Sequence, residues 1–226
     1  MKSWKLVVGV ACLIAVGASC KKSPEPVGAP DAGPMGTRDS GAASLHTLLP
    51  ATDVVQGASI YPLKPKLVDQ DGNATNLDVY RGKVVLIAMF YSSCPFACPT
   101  LISHLKQIDA AVSPDVLRDT RVLLVSFDPA NDTPPVLSKL AAERKSDLTR
   151  WKFATAPDDQ VREIAAVLGI KYRQADGSFN HSSVITILDR EGKIDLRADG
   201  LADDTDAMVR RLTELVHSAP TTAKTL

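Results

Sequence analysis

The chain has no excess of charge of either sign: 26 basic side chains stand against 26 acidic ones. That balance disfavours a polyanion-binding surface and, with it, a nucleic-acid partner. Past its first segment the chain also lacks any apolar run approaching the ~20 residues that span a bilayer. No internal repeat is visible. Cysteine is scarce, with Cys12, Cys20, Cys94 and Cys98 falling into two pairs of different fate. What is present is a 45% hydrophobic, 23% charged composition, apolar enough to exclude wholesale disorder.

The first segment reads as a secretory signal. Lys2 and Lys5 precede an unbroken apolar stretch, Leu6 to Ala18, which is too short to cross a bilayer comfortably and ends in small residues. Gly17-Ala18-Ser19-Cys20 resembles a bacterial lipobox, with Gly17 where a leucine is usual. The expectation is removal of residues 1–19, Cys12 included, and lipidation of Cys20; the alternatives are ordinary cleavage that leaves Cys20 free, or an uncleaved anchor. Residues 20–53 are rich in Pro, Gly, Ala and Ser and lack periodicity. They cannot bury enough apolar surface to offset their ordering entropy, so they read as a flexible tether, with His46 a solvated bystander. A membrane-anchored lipoprotein on the periplasmic or extracytoplasmic face follows. Residues 54–218 form the folded domain and 219–226 a C-terminal tail.

Within that domain, Val84 to Phe90 and Val122 to Phe127 are nearly continuous apolar runs, as expected of strands buried on both faces. Each is followed by a helical segment, Pro95 to about Val112 and Thr133 to Arg144, with Thr133 as cap and Pro134 at the first helical position. Strand and helix in alternation imply parallel pairing through right-handed crossovers. A short strand is expected over Lys152 to Ala154. A helix over Pro157 to Leu168 carries Val161, Ile164, Ala165 and Leu168 on one face and stops at Gly169. Lys66 to Asp69 and Ala74 to Leu77 flank Asp71-Gly72-Asn73 as an opening hairpin. Val184 to Leu188 and Lys193 to Leu196 flank a turn at Asp189-Arg190-Glu191-Gly192, and Met208, Leu212 and Leu215 or Val216 mark a last amphipathic helix. Together these outline an α/β, thioredoxin-like three-layer sandwich, a central mixed sheet flanked by helices.

Cys94 and Cys98 sit where the first buried strand gives way to a helix. First-turn amides and the positive end of the helix dipole stabilise a thiolate there, with Cys94 expected at the cap and Cys98 one turn inside. Three readings stay open on these residues alone. One is a structural disulfide, whose short loop constrains the unfolded chain little. Another is a redox-active dithiol. The last is a pair of soft thiolate ligands for Cu(I) or Zn(II) that still needs a third donor.

The order and spacing of several motifs resemble one family. Gly82-Lys83-Val84-Val85, Cys94-Pro95-Phe96-Ala97-Cys98-Pro99, Ser126-Phe127-Asp128-Pro129-Ala130-Asn131-Asp132-Thr133-Pro134, His181 before a strand, and Asp189-Arg190-Glu191-Gly192 are similar to those of the Sco/SenC proteins. These are membrane-tethered, thioredoxin-like copper chaperones for the dinuclear copper centre of cytochrome c oxidase. The resemblance implies copper, as Cu(I) and also as Cu(II), held by Cys94, Cys98 and His181, with Asp128 as an auxiliary. It implies as partner the copper-receiving subunit of the oxidase or another copper chaperone. Ser183 falls where thioredoxin-like reductases carry a cis-proline, and a histidine-bearing loop in that place favours metal over pure thiol exchange. Phe96 and Asn180 stand where family members often carry acidic residues, which reduces support for Cu(II). The rival expectation is a thiol-disulfide oxidoreductase acting through Cys94 and Cys98 on oxidase or other exported proteins. His104 and His217 receive no role.

Overall fold

The computed structural model describes residues 56–175, 178–199, 201 and 205–218. The expected leader, Cys20, the tether and the tail lie outside the described residues. In chain order the elements are β1 (Leu67–Asp69), β2 (Ala74–Thr75), β3 (Val84–Phe90), α1 (Ala97–Ala111), α2 (Pro114–Asp119), β4 (Thr120–Ser126), α3 (Pro134–Glu143) and β5 (Trp151–Thr155). There follow α4 (Asp158–Val167), β6 (Tyr172–Ala175), β7 (Ser178–His181), β8 (Val184–Leu188), β9 (Ile194–Asp199) and α5 (Thr205–His217). Seven strands form one mixed sheet in the order β2-β1-β5-β4-β3-β8-β9, and β6 and β7 form a separate two-stranded sheet.

The unbroken apolar run of β3 has a direct cause. The strand pairs in parallel with β4, from Val84 opposite Thr120 to Phe90 opposite Ser126, and antiparallel with β8 on its other edge. Every residue of β3 is buried, so both faces of the sheet are covered at its centre. The α/β architecture with a central mixed sheet and flanking helices is the one expected. In α1, Leu101, Ile102, Leu105 and Ile108 are buried, the spacing of one helical face. Pro114 and Pro134 open α2 and α3, where a missing amide hydrogen and a fixed φ suit the first helical position. Gly169, at φ 63°, takes the left-handed conformation that ends α4.

The turn between β8 and β9 shows how local chemistry sets register. The Asp189 carboxylate accepts from the Glu191 and Lys193 amides at 2.9 and 2.8 Å, and Gly192 adopts φ 73°. A Cβ at Gly192 would lie 2.5 Å from the Tyr61 ring, so only glycine fits both the conformation and the space.

Several features differ from expectation. α1 begins at Ala97 rather than Pro95, because a turn closed by the Cys94 amide on Tyr91 O and a bend at Pro95 and Phe96 lead into it. Thr133 occupies the N-cap of α3 without a capping side-chain hydrogen bond. The single turn-and-a-half of α2 was not anticipated, nor was the β6–β7 hairpin. The histidines without a role have packing ones. His104 Nε2 lies 3.0 Å from Thr205 Oγ1, joining α1 to α5, and His217 pairs with Asp115 of α2 at 2.8 Å.

Candidate metal centre

Parallel pairing brings the ends of β3 and β4 level, and Phe127 donates its amide hydrogen to Phe90 O at 2.7 Å just beyond them. The loops that leave both strands therefore open at one edge of the sheet, the usual place for a site in an open α/β fold. The first loop holds Cys94 and leads into the helix that carries Cys98, and the second holds Asp128 and Asp132.

Cys94 lies two residues before the N-cap of α1, which is Phe96, and Cys98 is the second residue of the helix. The two cysteines are free thiols and nearly buried, at 8% and 3% exposure. The Cys98 amide donates to Cys94 Sγ at 3.3 Å, so an orphan donor of the first helical turn points at sulfur. Their environments push the thiols apart. Burial disfavours the Cys94 thiolate, but hydrogen bonds from the Cys98 amide and thiol, the Phe96 amide and the Tyr91 hydroxyl outweigh it and hold Cys94 below the ordinary thiol range. Burial pushes Cys98 far up; the Tyr91 backbone opposes this, while the Cys94 and Asp132 charges add to it.

The third donor arrives from the separate hairpin. His181 ends β7 and faces Tyr172 across the ladder, so it sits on a strand rather than on the expected loop before one. A cluster of rings holds it: Phe127 and Tyr91 lie 4.9 and 5.8 Å from the His181 ring centroid, the latter edge-on. Phe127 also meets Tyr172 at 4.7 Å, and Tyr91 meets Phe179 at 5.1 Å. Burial lowers the His181 pKa, partly offset by the Ser182 carbonyl, and the imidazole is neutral near pH 7. Nδ1 lies 3.1 Å from Ser182 O. Assigning the proton to Nδ1 satisfies that hydrogen bond and leaves the Nε2 lone pair free to donate to a metal.

One donor atom each from Cys94, Cys98 and His181 lie within 4.8 Å of one another. Bonds of ~2.3 Å to sulfur and ~2.0–2.1 Å to nitrogen place donors roughly 4 Å apart around a shared ion, so little movement closes the site. Two thiolates with one imidazole make a soft, low-coordinate set. Asp128 is not one of these three donors. Its carboxylate accepts from the Asn131 side-chain amide at 3.0 and 2.8 Å, which turns it into its own loop. Sequence reasoning did not find Tyr91, whose ring and hydroxyl serve His181 and Cys94, nor Phe179 on the hairpin.

Comparisons with known proteins agree with this arrangement. The SCO1/SenC family model matches residues 62–217. An SCO2-like protein of Rickettsia typhi is 27% identical over 135 residues, which is 57% of this chain and 64% of that relative; the chain thus matches a little under two thirds of the relative's length. Yeast Sco1 with copper bound superposes with a TM-score of 0.60 at 22% identity, covering 77% of this chain and 96% of the yeast one. BsSco, described as a member of the Sco family of cytochrome c oxidase assembly proteins with a disulfide switch, superposes at 0.62 with 22% identity, covering 74% and 98%. These structural likenesses establish a shared thioredoxin-like fold.

Proposed function

The chain belongs to the SCO1/SenC family, and from that premise we propose that it is a copper metallochaperone whose Cys94, Cys98 and His181 hold copper as cargo. The observation that carries the reading is the convergence of two sulfurs and one neutral imidazole, from elements far apart in sequence, within 4.8 Å. The recipient on this reading is the copper-receiving subunit of cytochrome c oxidase, in keeping with the description of BsSco. The chain is held at the extracytoplasmic face by lipidated Cys20. Among the described residues no helix is long and apolar enough to cross a membrane. A recipient thiolate or imidazole displaces one donor at a time, and oxidation of the two cysteines to a disulfide removes the cargo.

The test is anaerobic Cu(I) loading of His181→Ala. Loss of one of three donors should weaken affinity by about a hundredfold, and undiminished affinity by chelator competition would sink the three-donor site. The opposed shifts of the two thiols favour a second reading, in which Cys94 attacks a partner disulfide and Cys98 resolves it. That reading needs no imidazole. Full turnover of His181→Ala on a disulfide substrate, with reduced glutathione to restore the dithiol and copper chelated, would select it.

Proton competition gives a further expectation. Copper displaces the proton of the Cys98 thiol, which burial holds far up, and, below its depressed pKa, that of Cys94 as well, so binding releases protons and affinity rises with pH. The slope of log affinity against pH should be near two below the Cys94 pKa and near one above it. His181, depressed in pKa, adds a third proton only at lower pH. A flat profile between pH 6 and 8, measured against a pH-independent reference chelator, contradicts thiolate ligation.

A further inference from the structure

One buried acid in the second loop is not a donor, and its charge has entered so far only as a push on the Cys98 thiol. Asp132 is 1% exposed, and no basic side chain is paired with it among the described residues. A carboxylate in such a place is expensive unless its hydrogen bonds are satisfied, and those observed tie it both to the end of its own strand at Ser126 and to Ser92 of the first loop. It accepts from the Ser92 amide, at 3.0 Å to Oδ2 and 3.3 Å to Oδ1, from the Ser92 hydroxyl and from the Ser126 hydroxyl. Ser126 Oγ in turn accepts from the Asp128 amide at 2.9 Å, and the Asp132 amide donates to Asp128 O at 2.8 Å. The second loop is thus rigid in itself and grips the first at a single residue.

That residue is well placed. Ser92 lies between Tyr91, whose ring packs edge-on to His181, and the turn that carries Cys94, whose amide donates to Tyr91 O at 3.3 Å. Fixing Ser92 fixes both the first sulfur and the ring against which the imidazole rests. We propose that Asp132 is a positioning residue that sets the separation of the three donors by clamping Ser92 to the end of β4. The part concerning copper rests on the metallochaperone reading; the part concerning the two sulfurs does not.

The experiment separates them by measuring two quantities on Asp132→Ala and Asp132→Asn. The first is the equilibrium of the protein dithiol with glutathione disulfide, in which the Cys94–Cys98 bond forms, the glutathione S–S bond breaks, and two glutathione thiols leave with the two protons. The constant reports how well the two sulfurs are held together. The second is Cu(I) affinity by chelator competition. Loss of a charge-assisted hydrogen bond in Asp132→Ala should change both by about tenfold. Asp132→Asn, which keeps an oxygen for the Ser92 amide, should stay within about threefold.

Asp109→Asn is the control for a merely structural loss. Asp109 binds Arg150 and Trp151 eleven residues further along α1, roughly 16 Å from Cys98 along the helix axis. It should lower the thermal midpoint without moving either constant. A dithiol constant in Asp132→Ala within twofold of the parent overturns the proposal, as does an equal shift in Asp109→Asn. Should Asp132→Ala not fold, Ser92→Ala replaces it; a threefold shift supports the clamp and an unmoved constant overturns it. If the parent binds no Cu(I) while its dithiol constant responds to Asp132→Ala, the copper reading fails and the clamp stands.

Discussion

Cys98→Ser should lower Cu(I) affinity by about three orders of magnitude, a loss matched at the site only by Cys94→Ser. Metal sites built from protein donors are worth ~10–16 kcal/mol in all, so removal of a soft donor from a set of three forfeits about a third of that. A hydroxyl cannot replace the sulfur, because its proton is too firmly held and its oxygen too hard for Cu(I). Serine at this nearly buried position also leaves a hydroxyl in need of a partner, at about 1–3 kcal/mol of stability. Affinity and thermal midpoint should therefore be measured together. Cys94→Ser, at the more open end of the pair, should lose as much copper with less effect on folding. Stoichiometric Cu(I) bound by Cys98→Ser with undiminished affinity would refute thiolate ligation at this position.

Phe127→Ala should destabilise the fold by about 3–5 kcal/mol, the range for deleting a fully buried ring. Phe127 is 1% exposed and touches His181, Tyr172 and Phe179. Its loss opens a cavity under the hairpin at the place where the imidazole is supported. The expected signature is a lower denaturation midpoint together with weaker copper binding, since the third donor then pays an ordering entropy on loading. A destabilisation under about 1 kcal/mol by urea titration would show that other rings suffice to hold the hairpin.

Much of the sheet was legible because its strands are extreme. Val84 to Phe90 reads as a two-sided buried strand, and β3 occupies the same residues with every side chain buried. The acid-rich turn at Asp189 and the helix stripe of Val161, Ile164 and Ala165 carry similarly local signals. The hairpin of β6 and β7 was missed although its cue is present: Asp176-Gly177 between Tyr172 and Phe179 is a strong two-residue hairpin signal. The flanking residues, mostly polar on one face, are short on hydrophobic alternation, and the strands hold their place through rings contributed by distant segments. The helix start was misread by two residues because the prolines on either side of Phe96 suit a turn as well as a first helical position. The arrangement about Asp132 was not legible at all. Its partners, Ser92 and Ser126, are ordinary serines whose proximity exists only once β3 and β4 are paired.

Among the described residues, the hairpin that brings His181 shares no ladder with the seven-stranded sheet. Position 181 meets the core through the rings of Phe127 and Tyr91 rather than through backbone pairing, and the paired sulfurs at the helix entrance keep their own thiol chemistry whatever stands there. Divergence confined to the hairpin can exchange ion handling for electron handling while the backbone pairing of the seven-stranded sheet stays intact, so one scaffold has access to two trades through changes in a few residues.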